Sequence, residues 1–115
     1  MEKLINGVWE YSLNNPYGFT LNLKTMQAVE YGISVAYLET QDSFGKEDLI
    51  KVINHSLNHQ SFVGGWFNSE NNQYYFDSVK IFKNSGLKEA IQFAKENKQI
   101  AIFDITNKEE IIIEG

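Results

Sequence analysis

The sequence predicts an α+β fold: an antiparallel sheet with two helices packed on one of its faces. Three observations carry this. The run from Ile33 to Ile105 reads strand, helix, strand, strand, helix, strand. Two stretches have apolar residues at helical spacing, and Phe19 to Lys24 alternates in the two-residue rhythm of a half-buried strand. Turn-forming clusters such as Asn14-Asn15-Pro16-Tyr17-Gly18 and Ser69-Glu70-Asn71-Asn72 fall between these segments.

The elements follow in order. Asn14-Asn15-Pro16-Tyr17-Gly18 is a turn signal and holds the only proline. Val8 to Leu13, before it, reads as a short strand. After it Phe19, Leu21 and Leu23 alternate with Thr20, Asn22 and Lys24, which predicts a strand. Ile33 to Thr40 reads as the next strand, and adjacency suggests that it forms a hairpin with Phe19 to Leu23. A helix is expected from Lys46 to Asn58, capped by Ser43 or Gly45. Glu47 and Asp48 sit in its first turn, where the helix dipole favours acids. Its apolar stripe is Leu49, Ile50, Ile53 and Leu57.

Phe62 to Asn68 and Gln73 to Phe82 flank the polar loop Ser69-Glu70-Asn71-Asn72 and predict a β-hairpin. Pairing Asn68 with Gln73 sets Gly64 opposite Asp77 and Trp66 opposite Tyr75. Leu87, Ala90, Ile91 and Ala94 then repeat at i, i+3, i+4 and i+7, a second helix. Gln99 to Ile105 reads as a strand, and Glu110 to Glu114 as a short final one. Together these elements match a ferredoxin-like βαββαβ core with an N-terminal hairpin and an extra C-terminal strand. One conflict is visible. If Ile33 to Thr40 pairs with Phe19 to Leu23, it cannot also keep the two neighbours that such a core gives it.

Composition narrows the function. With 115 residues, 43% of them hydrophobic, the chain fits one domain with its own core. It has no cysteine, which excludes thiolate chemistry and cysteine-based metal sites. All ten basic residues are lysine and the net charge is −5. Without arginine, the preferred fork for phosphates and base edges, nucleic acid is a poor direct ligand. Met1-Glu2-Lys3-Leu4-Ile5 does not open a signal peptide, and no apolar run reaches membrane-spanning length. The expectation is a cytoplasmic protein that acts neither on a membrane nor as an enzyme.

Candidate sites are few. His55 and His59 lie four apart on the first helix, the spacing of paired metal ligands, but Ser56 stands between them where a general-base glutamate would be. A solvated helix face is the simpler reading, and no metal or cofactor is expected. Gly64-Gly65 lacks the helix and lysine of a phosphate loop; a bulge, or a notch beside Asp77, remains. Asp77 and Asp104 are acids inside aromatic-rich strands, two carboxylates that an acid–base pair would need. Trp66, Tyr74 and Tyr75 exceed what a small core requires and serve equally as cross-strand pairs or interface anchors. With Asp77, Glu109, Glu110 and Glu114 they form the expected partner-binding set.

Tyr17-Gly18-Phe19-Thr20, Tyr74-Tyr75-Phe76-Asp77-Ser78-Val79, Glu89-Ala90-Ile91 and Asn97-Lys98-Gln99-Ile100-Ala101-Ile102-Phe103-Asp104 resemble segments of short uncharacterised proteins from mobile elements and phages of low-GC bacteria. The resemblance carries over no functional residue. It implies a small acidic module that binds and blocks a host protein, as anti-CRISPR and anti-restriction proteins do. The expected mechanism is steric and electrostatic blockade of a defence nuclease. The alternatives are a homo-oligomer joined through sheet edges at Ile111, Ile112 and Ile113, or a small-ligand-binding or enzymatic domain using Asp77 and Asp104.

Overall fold

The computed structural model describes residues 1–113. In chain order the elements are α1 (Glu2–Leu13), β1 (Phe19–Asn22), β2 (Gln27–Ala28), β3 (Ile33–Ala36), β4 (Ser43–Phe44), α2 (Gly45–Leu57), β5 (Phe62–Asn68), β6 (Gln73–Phe82), α3 (Leu87–Glu96), β7 (Ala101–Asp104) and β8 (Glu109–Ile112). The strands form one antiparallel sheet in the order β2-β1-β5-β6-β3-β7-β8, with β4 also paired to β6. The fold is α+β, with three helices where two were expected. Among the described residues no helix is long and apolar enough to cross a membrane.

The extra helix is α1. Val8 to Leu13 was expected as a strand, but Ile5, Val8 and Ser12 share the buried face of a helix that starts at Glu2. Spacing of three and four residues overrides the strand preference of Val8, Trp9 and Tyr11. The expected hairpin of β1 with β3 is also absent. β1 pairs with β2 and with β5. β3 lies between β6 and β7, so it has both the neighbours that the conflicting expectation denied it.

Ile33 to Thr40 does not remain extended throughout. β3 stops at Ala36, and Leu38–Thr40 makes one 3-10 turn. The Asp42 backbone takes φ 62°, and the chain rejoins the same edge of β6 as β4. β6 is therefore bordered by β5 from Gln73 to Val79 on one side, and by β4 and then β3 on the other. The β5–β6 hairpin has the expected register, Asn68 with Gln73 through Phe62 with Val79. Its loop is fixed by local bonds: the Glu70 backbone N–H donates to Asn68 Oδ1 and the Gln73 N–H to Asn71 Oδ1, while Asn72 adopts φ 57°. Asparagine tolerates that left-handed conformation, which accounts for the loop's composition.

All three helices cover one face of the sheet. Phe76 packs with Val63, Leu21, Leu49, Val52, Ile53, Ile5 and Val8 in a first core under α1 and α2. Phe82, six residues on and so on the same face of β6, packs with Ile33, Val35, Ile102, Ala90 and Ala94 in a second core under α3. The stripe of α2 differs from expectation. Val52 and Ser56 are buried with Leu49 and Ile53, whereas Ile50 and Leu57 are exposed. Ser56 is tolerated there because its Oγ donates to the Phe62 carbonyl at 3.0 Å. Neither Ser43 nor Gly45 caps α2 through a side chain; the Asp48 carboxylate accepts from the Phe44 N–H at 3.0 Å.

Candidate functional site

Strand alternation leaves the other face of the sheet without a helix. From the pairing registers, its strand positions include Thr20, Ser34, Phe44, Phe62, Gly64, Trp66, Tyr75, Asp77, Val79, Phe103, Glu110 and Ile112. Phe44, Tyr75 and Trp66 stand side by side on β4, β6 and β5. The Trp66 and Tyr75 rings stack at 4.9 Å and 18°, and the Phe44 ring tilts against Tyr75 at 5.4 Å. Trp66 is 45% exposed and Phe44 41%. A three-ring ladder thus crosses the open face with water on its outer side.

Asp77 sits one row from this ladder. Gly64, its cross-strand partner, offers no side chain against it. Asp42 lies on its other side, because the turn before β4 ends one residue before the Ser43–Phe76 pair. Burial pushes the Asp77 carboxyl up to about 6, and the Asp42 charge adds to this. The Trp66 indole N–H opposes the rise as a donor toward the carboxylate. Asp77 retains some accessible surface yet is crowded by its neighbours. None of the ten lysines occupies a strand position on this face. Asp77 has no ion-pair partner among the described residues, where the sole charged contact is between His55 and Glu39.

The two glycines opposite β6 differ in purpose. A Cβ on Gly65 would lie 2.4 Å from Phe19 Cε1 and 2.8 Å from Tyr74 Cε1, so glycine is required for those rings to pack. A Cβ on Gly64 would meet only Val79 Cγ1 at 3.4 Å and the Phe19 carbonyl oxygen at 3.8 Å, ordinary contacts. Packing does not demand glycine at 64. The missing side chain leaves a gap in this face opposite Asp77 and bordered by Val79.

The other expected residues are dispersed. Tyr74 belongs to the helix-covered face: its hydroxyl donates to the Asn15 carbonyl at 2.6 Å, and burial pushes its pKa up to about 12. Glu109 pairs with Asp104, and Glu110 faces the open side from an edge strand. Glu114 lies outside the described residues. Asp104, partnered with Ile33, is on the helix-covered face, so Asp77 and Asp104 lie on opposite sides of the sheet and cannot share a proton. Asp104 instead accepts bonds from Asn107 Nδ2 at 2.8 Å and Asn84 Nδ2 at 2.9 Å, which hold its carboxyl below the usual range.

The histidines depart from the solvated reading. His55 is half-buried against the sheet, with Nδ1 2.8 Å from Ser78 Oγ and Nε2 3.7 Å from Glu39 Oε2. The His59 ring stacks on it at 3.9 Å, and Tyr37 packs against both at 4.8 Å. Burial lowers the His55 pKa, the nearby His59 lowers it further, and Glu39 opposes them. A serine, a histidine and an acid in line suggest nucleophilic catalysis, but Ser78 is fully buried and the Glu39 contact is too long for a hydrogen bond. Among the described residues no group of three or more His, Asp or Glu side chains is arranged to hold a metal ion. Surface depressions along α1 and beside Gly32 and Phe82 are open and do not include His55, Asp77 or Asp104 in their linings.

No family model, curated protein or solved structure matches the chain. Sequence reasoning missed Phe44, and it read Asp42 only as one of several dispersed surface acids, not as a neighbour of Asp77. The alternation Asp42-Ser43-Phe44 is a strand signal, but two residues are too short a run to register.

Proposed function

We propose that the chain is a protein-binding module whose docking surface is the helix-free face of the sheet. The observation that carries this reading is the exposed Phe44–Tyr75–Trp66 ladder beside the uncompensated Asp77. Tryptophan and tyrosine are rigid, amphipathic anchors that give large contact area at low entropic cost. With acids and no lysine in the strands of this face, the complementary partner presents basic side chains. The partner class we propose, from the resemblance and the net charge of −5, is a nucleic-acid-binding enzyme of a host defence system, blocked in the cytoplasm by occupation of its basic surface.

We further propose a ferredoxin-like core within the sheet. The order β5-β6-β3-β7, with a helix in each of the two crossovers, supports it; α1, β1, β2, β4 and β8 are additions to that core. A second reading, association through the β8 edge, draws on Ile112 and Ile100, which are 63% and 81% exposed.

The test is parallel affinity capture by the wild-type chain, by Trp66→Ser/Tyr75→Ser, and by the helix-side control Lys51→Ser. A stoichiometric partner that is lost with the first variant, kept with the second and released by salt supports the docking face. A partner indifferent to the ladder refutes it. Sedimentation of the free chain separates the second reading, which requires concentration-dependent mass.

A further inference from the structure

We propose that the space over Gly64 is a socket for one cationic side chain, arginine or lysine, of a protein partner, with Asp77 and Asp42 as its counter-charges and the Trp66 ring as its wall. This inference rests on the open sheet face being the docking surface.

Three independent features converge on the socket. The first is steric. A Cβ on Gly64 would make only ordinary contacts, with Val79 Cγ1 at 3.4 Å and the Phe19 carbonyl oxygen at 3.8 Å, in contrast to Gly65, whose Cβ would collide with Phe19 and Tyr74. A strand residue without a side chain weakens its strand, and here no packing demand explains it. The second is electrostatic. Asp42, one residue before β4, stands next to Asp77 of β6 in the register, with no lysine in the face's strands, so no cation offsets their repulsion in the free chain. A cation in the notch removes that repulsion. The third is the aromatic wall. The Trp66 ring is half-exposed, held upright by its stack on Tyr75, and can cover the stem of a long cationic side chain or face a guanidinium. The apolar floor is Val79, whose Cγ1 borders the vacant Cβ position.

The probe is N-acetyl-arginine amide, with the neutral isostere N-acetyl-citrulline amide as control. A ligand of this size binds in about the millimolar range. Backbone and indole N–H resonances are followed during titration, together with the Asp77 carboxyl carbon across pH. The expected result is a saturable shift confined to Gly64, Asp77 and the Trp66 indole, with the Asp77 titration midpoint moved down by arginine and not by citrulline. Gly64→Val, which fills the notch on an extended strand, weakens this binding by at least about tenfold while the thermal midpoint is retained; Gly64→Ala replaces it should the valine variant fold poorly. No localised shift, an equal response to citrulline, or undiminished binding in the filled variant overturns the socket. Should the socket fail while a ladder-dependent partner is still captured, the docking face stands without it. Loss of both removes the face itself.

Discussion

Replacing Asp77 by asparagine should stabilise the protein, and only above a defined pH. The folded chain holds the Asp77 carboxyl at about 6, against an ordinary value of 3.8. Between those two values the folded state keeps a proton that the unfolded state has released, so stability falls as pH rises through this window. Above about pH 6 the penalty is complete and constant. At about 1.4 kcal/mol for each pH unit it amounts to about 3 kcal/mol. The carboxyl's residual contact with water reduces this to roughly 1–3 kcal/mol. For a domain of this size that corresponds to a midpoint higher by roughly 4–12 °C. Asparagine keeps the shape and removes the charge that burial and Asp42 oppose. The assay is thermal unfolding of wild type and Asp77→Asn at pH 8 and at pH 4. The variant should melt higher at pH 8, and the gap should largely close at pH 4. A variant that melts lower at pH 8, or a gap equal at both, would refute the reasoning. Confirmation would mark Asp77 as a residue held at the expense of stability, as binding sites often are.

Other substitutions give independent checks. Gly65→Ala forces a methyl group against the Phe19 and Tyr74 rings and should destabilise by about 1–3 kcal/mol in denaturant titration, whereas Gly64→Ala should be neutral or mildly stabilising. Tyr74→Phe loses the bond to the Asn15 carbonyl and should cost about 1 kcal/mol, read in the same titration. His55, whose folded pKa is depressed, should withdraw stability as pH falls below its unfolded value near 6.5, because the unfolded chain protonates first. Removing that titration with His55→Gln should flatten the pH dependence on this limb; an unchanged slope would place its origin elsewhere.

What could be read from the sequence followed the range of the interactions. The β5–β6 hairpin was legible to the register, because its two strands are joined by a loop whose asparagines fix it locally. α3 was legible because its apolar spacing is undisturbed. α1 was missed because Val8, Trp9 and Tyr11 carry strand preference, although Leu4, Ile5 and Val8 already show helical spacing. The place of β3 between β6 and β7 was left in conflict, because adjacency favoured a hairpin with β1 while both actual partners lie more than forty residues on. At the site, Trp66 and Tyr75 followed from the hairpin register. Phe44 and Asp42 did not, since a turn that leaves β6 and returns to it brings them there.

β6 contributes Phe76 to one core and Phe82 to the other, and between them it carries Ser78, bonded to His55 and Thr40. A polar seam therefore interrupts the apolar layer midway along one strand. Such a seam is a natural boundary between units that open separately. Amide hydrogen exchange should accordingly divide into two groups of protection. The amides of β7, β8 and α3 would open together at lower free energy, while those of α2 and the β5–β6 hairpin wait for global unfolding. The aromatic ladder rides on the slower unit and would persist as a rigid surface when the other half of the molecule has loosened.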